Sequence, residues 1–154
     1  MLTLIASLPR DYVRDQRQRI EVYRRLARIR RLERLDDFRQ ELRDRFGPIP
    51  EPAEWMLRLA KLRLLAARWQ IATVHLEGPA EGSAGPTDLV LGYRSPRQIH
   101  RLANRTDGRL RIVDDSSAYY RLKGREEPPE ALYVLLEKLF HRPLQRARTG
   151  EPAA

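Results

Sequence analysis

The run Phe46-Gly47-Pro48-Ile49-Pro50 constrains this chain more than any other stretch. A helix that reaches Phe46 can turn away at Gly47, which enters left-handed backbone without a Cβ clash, and Pro48 then lacks the amide hydrogen that continuation would need. Upstream of that stop the spacing predicts a helix from about Arg31 to Phe46, with Leu32, Leu35, Phe38, Leu42 and Phe46 on its inner face. Its charges agree with its direction: Glu33, Asp36 and Asp37 lie early, Arg43 and Arg45 late, and Glu41 can pair with Arg45 one turn on. An earlier helix is expected from Arg14 to about Arg30, its apolar stripe formed by Ile20, Tyr23, Leu26 and Ala27. Downstream, Trp55, Leu59, Leu62, Ala66 and Trp69 recur at helical spacing over about Glu51 to Gln70. Met56, Leu64 and Leu65 widen that stripe, so this third helix is expected to be the most buried, with both tryptophans in the core.

The period changes at Ile71. Ile71, Val74 and Leu76 belong to a short β-prone run ending at Gly78-Pro79, and residues 78 to 87, rich in Gly, Pro, Ala and Ser, read as a connection. A second strand is expected over Asp88 to Arg94, then a short helix from Pro96 to Arg105 with Ser95 as its N-cap. Leu110 to Val113 and Tyr119 to Leu122 flank a turn at Asp114-Asp115-Ser116-Ser117, forming a hairpin. Pro128 or Pro129 opens a last amphipathic helix through Phe140. The expected fold class is α+β: a three-helix layer packed with a small antiparallel sheet that carries an inserted helix, and a closing C-terminal helix. The expected organisation is a single domain over 1–142, with a helical half at about 8–76, a sheet-containing half at about 72–142, and a disordered tail over 143–154.

Composition limits the chemistry. A formal charge of +9 and a pI near 10.6 invite a nucleic-acid reading, and the basic excess sits in the first half of the chain. Lys61, Lys123 and Lys138 are the only lysines, however, and a skew this strong toward arginine is explained by a GC-rich genome without selection for phosphate contacts. With no Cys, neither a disulfide nor a thiolate metal site can form. No G-x-x-x-x-G-K-[ST] loop occurs, and His75, His100 and His141 are far apart in sequence. No catalytic residue, cofactor or metal is expected, and the acidic pairs Asp36-Asp37, Asp114-Asp115 and Glu126-Glu127 read as solvated surface. No apolar stretch approaches the length of a membrane span, and the first residues lack a basic leader, so a soluble, cytoplasmic protein is expected. Arg17, Glu21, Arg24 and Arg28 form an exposed, mostly basic strip on the first helix, whose arginines are the candidate contacts for nucleic acid.

Three blocks together resemble one family. Leu8-Pro9-Arg10-Asp11-Tyr12-Val13, followed by Arg19 to Ala27, is similar to the opening of the C-terminal regulatory (TRCF) domain of bacterial transcription-repair coupling factors. Glu41-Leu42-Arg43-Asp44-Arg45-Phe46-Gly47-Pro48-Ile49-Pro50 resembles that domain's most distinctive stretch, and Leu57 to Ile71 its long Leu/Ala/Arg helix. The resemblance covers about residues 8 to 76; beyond, only the order of elements agrees. It implies a non-catalytic regulatory module of transcription-coupled DNA repair. In the family, a translocase displaces stalled RNA polymerase and recruits the damage sensor UvrA, while this domain docks on the protein's own UvrA-binding module and masks it. The expected partner is that module, bound in cis in the parent protein and in trans by this chain in competition with UvrA, because neither motor motifs nor the module occur in these 154 residues. Glu41, Asp44 and Arg45 are the candidate interface, open at this point to two roles: an internal charge network or a docking face.

Overall fold

Asp15 starts the first helix by accepting the backbone N–H groups of Arg17 and Gln18 at 2.8 and 3.1 Å. The computed structural model describes residues 6–141, over which the helices are α1 (Gln16–Arg28), α2 (Leu32–Phe46), α3 (Glu51–Ala67), α4 (Pro96–Asn104) and α5 (Pro129–Phe140). Strands β1 (Ile71–Glu77), β2 (Asp88–Tyr93), β3 (Leu110–Ile112) and β4 (Ser117–Arg121) form one antiparallel sheet in the order β1-β2-β4-β3, leaving β1 and β3 as its edges. The fold is α+β, as the sequence led us to expect. The tail over 143–154 lies outside the described residues.

Two apolar clusters organise the chain. The first gathers Leu8, Val13, Val22, Leu26, Leu35, Phe38, Leu42 and, from α3, Ala53, Met56, Leu57, Ala60 and Leu64. The second joins the end of α3 to the sheet, α4 and α5 through Leu65, Trp69, Leu91, Ile99, Leu102 and Phe140. Helix α3 feeds both, with Leu64 in one cluster and Leu65 in the other, which is why it carries more buried residues than α1 or α2. Trp55 and Trp69 are core residues, and the Trp69 indole donates to the Phe140 carbonyl at 2.9 Å, tying the end of α5 to the end of α3.

Gly47 ends α2 with φ +88° and ψ −166°, a region essentially reserved for glycine, and the Tyr12 hydroxyl donates to its carbonyl at 2.9 Å. A second glycine acts by its size: a Cβ at Gly92 would collide with the Thr73 hydroxyl, where the β1/β2 register shifts between Ile71 and Thr73.

The stripe expected on the first helix needs correction. Leu26 is buried, but Ile20 and Tyr23 are 50% and 42% exposed and Ala27 is also exposed. The helix packs instead through Val22, Leu26 and Ile29, a face rotated away from Ile20, while the Tyr23 hydroxyl reaches out to accept the Leu8 N–H at 2.8 Å. Leu59, assigned to the inner stripe of α3, is likewise 42% exposed. Its neighbourhood is open because β1 lies beside α3 without covering it.

Candidate protein interface at the end of α2

The last two turns of α2 place Glu41, Asp44 and Arg45 on one side of the helix, since residues three and four apart are neighbours. Arg25 of α1 grips Glu41 with both guanidinium nitrogens, each at 2.6 Å, and Arg45 approaches the same carboxylate at 3.5 Å. Arg25 also lies over the Phe38 ring and Arg45 over the Phe46 ring, at 5.2 and 5.0 Å from the centroids. Glu41 therefore sits between two arginines whose planes are fixed by aromatic faces. Hydrogen bonding from Arg25 holds its carboxyl below the usual range, against an opposing cost of partial desolvation. The same pairing holds the Arg25 guanidinium more firmly protonated.

Asp44 differs. It is exposed, accepts from the Gln40 side chain at 3.0 Å, and has no cationic partner among the described residues. Glu41 thus belongs to an internal charge network, whereas Asp44 and the outer part of Arg45 are exposed to solvent on either side of it. A second bridge, Arg39 to Glu54, locks α2 to α3. The helix carrying Asp44 is consequently braced on both flanks.

The arginine strip on α1 is also exposed. Arg24 approaches Glu21 at 3.5 Å, while Arg28 borders a hollow that it shares with Arg30, Arg31 and Arg34. Among the described residues no group of three or more His, Cys, Asp or Glu side chains is placed to hold a metal ion, and no helix is long and apolar enough to cross a membrane.

The surface that sequence reasoning missed is an apolar hollow of about 350 Å³ between β1 and helices α3 and α5, bordered by Leu59, Leu62, Val74, Leu76, Leu132 and Leu136. Val74 and Leu76 pair with Leu91 and Leu89, both buried, so they share the helix-facing side of the sheet yet remain 40% and 48% exposed. The signal was present in the alternation of Val74 and Leu76, but alternation does not tell an edge strand from a covered one.

The family model for the TRCF domain matches residues 2–81, which spans α1, α2, α3 and β1 and includes all of the α2 site. The chain belongs to the TRCF domain family. It is 31% identical over 125 residues to the transcription-repair-coupling factor of Escherichia coli strain K12, covering 75% of this chain and 10% of that one. Its identity to the factor of Haemophilus influenzae is 39% over 123 residues, covering 80% and 10%, and to that of Mycobacterium tuberculosis 38% over 88 residues, covering 57% and 7%. The chain therefore spans about a tenth of the length of these relatives. A crystal structure of the C-terminal domain of a transcription-repair coupling factor superposes with a TM-score of 0.65 at 18% identity, covering 91% of this chain and 85% of that one. That likeness extends the shared fold through the sheet-containing half of this TRCF domain.

Proposed function

We propose that this TRCF domain is a non-catalytic regulatory module of transcription-coupled DNA repair, which docks on the UvrA-binding module of the coupling factor and competes with UvrA for it. The observation that supports this reading is the exposure of Asp44 and Arg45 on a braced helix, flanking the Arg25–Glu41 clamp, within the segment that matches the family. Rigid charges of opposite sign set the register of an encounter and discriminate against partners with the wrong pattern. Docking through this face leaves the Arg25–Glu41 bridge intact as scaffold and uses the carboxylate that has no cation of its own.

The test is a titration of the purified chain against the isolated UvrA-binding module, with UvrA added as competitor. Saturable binding, displacement by UvrA and a loss of about tenfold or more on Asp44→Arg support the reading. Undetectable binding at tens of micromolar contradicts it.

A second reading rests on the exposed strip of Arg17, Arg24 and Arg28, which recurs on one side of α1 and carries a single interspersed acid, Glu21. On this reading the domain binds duplex nucleic acid through phosphates. Affinity then falls steeply with salt, with each neutralised phosphate adding about 0.9 to the log–log slope. A flat salt response rules it out.

A further inference from the structure

Two guanidinium groups meet at the C-terminus of α1 with no carboxylate between them. Arg30 donates to the Ala27 carbonyl at 2.9 Å, and Arg63 of α3 donates to the same carbonyl and to that of Leu26, each at 3.2 Å. The negative end of the helix dipole holds these like charges together. Both border a hollow completed by Gln70 and Arg94, and no acidic residue lines it. Among the described residues the Arg94 side chain has no hydrogen-bond or ion-pair partner. Arg63, Ile71 and Ala72 border this basic hollow and also the apolar one beside β1. The two hollows therefore adjoin across these three residues, with arginines around one and Leu59, Val74 and Leu76 around the other.

We infer that the adjoining hollows form one docking groove for a protein segment that carries carboxylates at one end and apolar side chains at the other, laid as an added strand along the edge of β1 that no described residue pairs. Charge decides the basic end: three guanidiniums around a hollow with no acidic residue in its described lining favour a carboxylate, and arginine meets it with paired hydrogen bonds. The apolar end decides between classes of partner. A nucleic acid backbone gains nothing from Val74, Leu76 and Leu59, whereas a polypeptide with alternating apolar residues fills the hollow while its backbone pairs with the unpaired side of β1. Asp44 lines neither hollow, and occupation of this surface does not depend on the function proposed above.

The probe is a fluorescein-labelled peptide with a block of glutamates followed by leucines alternating with threonines, titrated against the full chain by fluorescence anisotropy. Oligoglutamate of equal charge and a short DNA duplex serve as comparisons. Binding of the peptide, weakened about tenfold or more by Arg94→Glu and separately by Leu76→Lys but unchanged by Asp44→Arg, is the expected result. Both groove positions are exposed; circular dichroism confirms folding, and Arg94→Gln with Leu76→Thr replaces any variant that fails to fold. Absence of peptide binding overturns the inference. So does oligoglutamate binding as tightly as the peptide, or duplex DNA binding more tightly and indifferently to Leu76→Lys, since either result reduces the groove to a site for any polyanion.

Discussion

The helical half and the β1 edge of this domain finish their surfaces in opposite ways. Around α1, α2 and α3 the exposed groups are tied to one another: Arg25 to Glu41, Arg39 to Glu54, Arg63 to the last carbonyls of α1, Tyr12 to Gly47. Among the described residues the sheet stops at β1, and Val74 and Leu76, which share a face with buried Leu91 and Leu89, are 40% and 48% exposed. Ion pairs and capped carbonyls brace a helix without hiding it, so the first region can present fixed charges. An uncovered edge strand with apolar neighbours offers instead backbone hydrogen bonds and a hollow, and gains only when something fills it.

The comparison breaks most visibly if the halves unfold apart. Leu57, in the first cluster, and Leu91, in the second, are both fully buried, and truncating either to Ala should cost about 2–5 kcal/mol. Because α3 feeds both clusters, each variant should lower the midpoint of one cooperative transition, as followed by calorimetry. Two separate transitions would show that the halves are independent units. Gly47→Ala has a smaller expected effect, about 1–3 kcal/mol, since space is open around the site and only the backbone angle opposes a Cβ.

Acid should loosen the ion-pair bracing in both halves. Arg25 lowers the carboxyl pKa of Glu41, and Arg109 does the same for Glu126, so each contributes stability that is present above the ordinary value of 4.5 and is lost as pH falls through the depressed folded value. Denaturant midpoints measured from neutral pH downward should therefore fall below about pH 4.5, and Arg25→Gln should flatten that fall. Leu76→Lys, on the open edge, should change stability by less than about 0.5 kcal/mol at any of these pH values. A large loss there would mean that the edge is part of the core.

Much of this architecture was legible in the residues. Phe46-Gly47-Pro48 marked the end of α2 to the residue, and Ser95-Pro96 marked the start of α4, because caps and prolines act locally. The face of α1 was not legible. Its apolar residues are spread over more than one side; Val22, Leu26 and Ile29 also recur at helical spacing, and only contact with α2 and α3 decided between the stripes. Leu59 misled for the same reason: an apolar residue at a helical position is buried only if a neighbour arrives to cover it. Of the α2 site, the i,i+4 approach of Arg45 to Glu41 could be read from spacing. The stronger grip of Arg25, sixteen positions away in sequence, required the packing of α1 against α2. The groove joining Arg94 to Leu76 depends on which strand lies at the edge, a property of topology.

The most direct test of the central claim compares Asp44→Arg and Leu76→Lys as they bind the isolated UvrA-binding module, with UvrA as competitor. The account predicts that wild type binds and is displaced, that Asp44→Arg weakens binding about tenfold or more, and that Leu76→Lys leaves it unchanged. Binding lost with Leu76→Lys but kept with Asp44→Arg, or no binding by the wild-type chain, would contradict it.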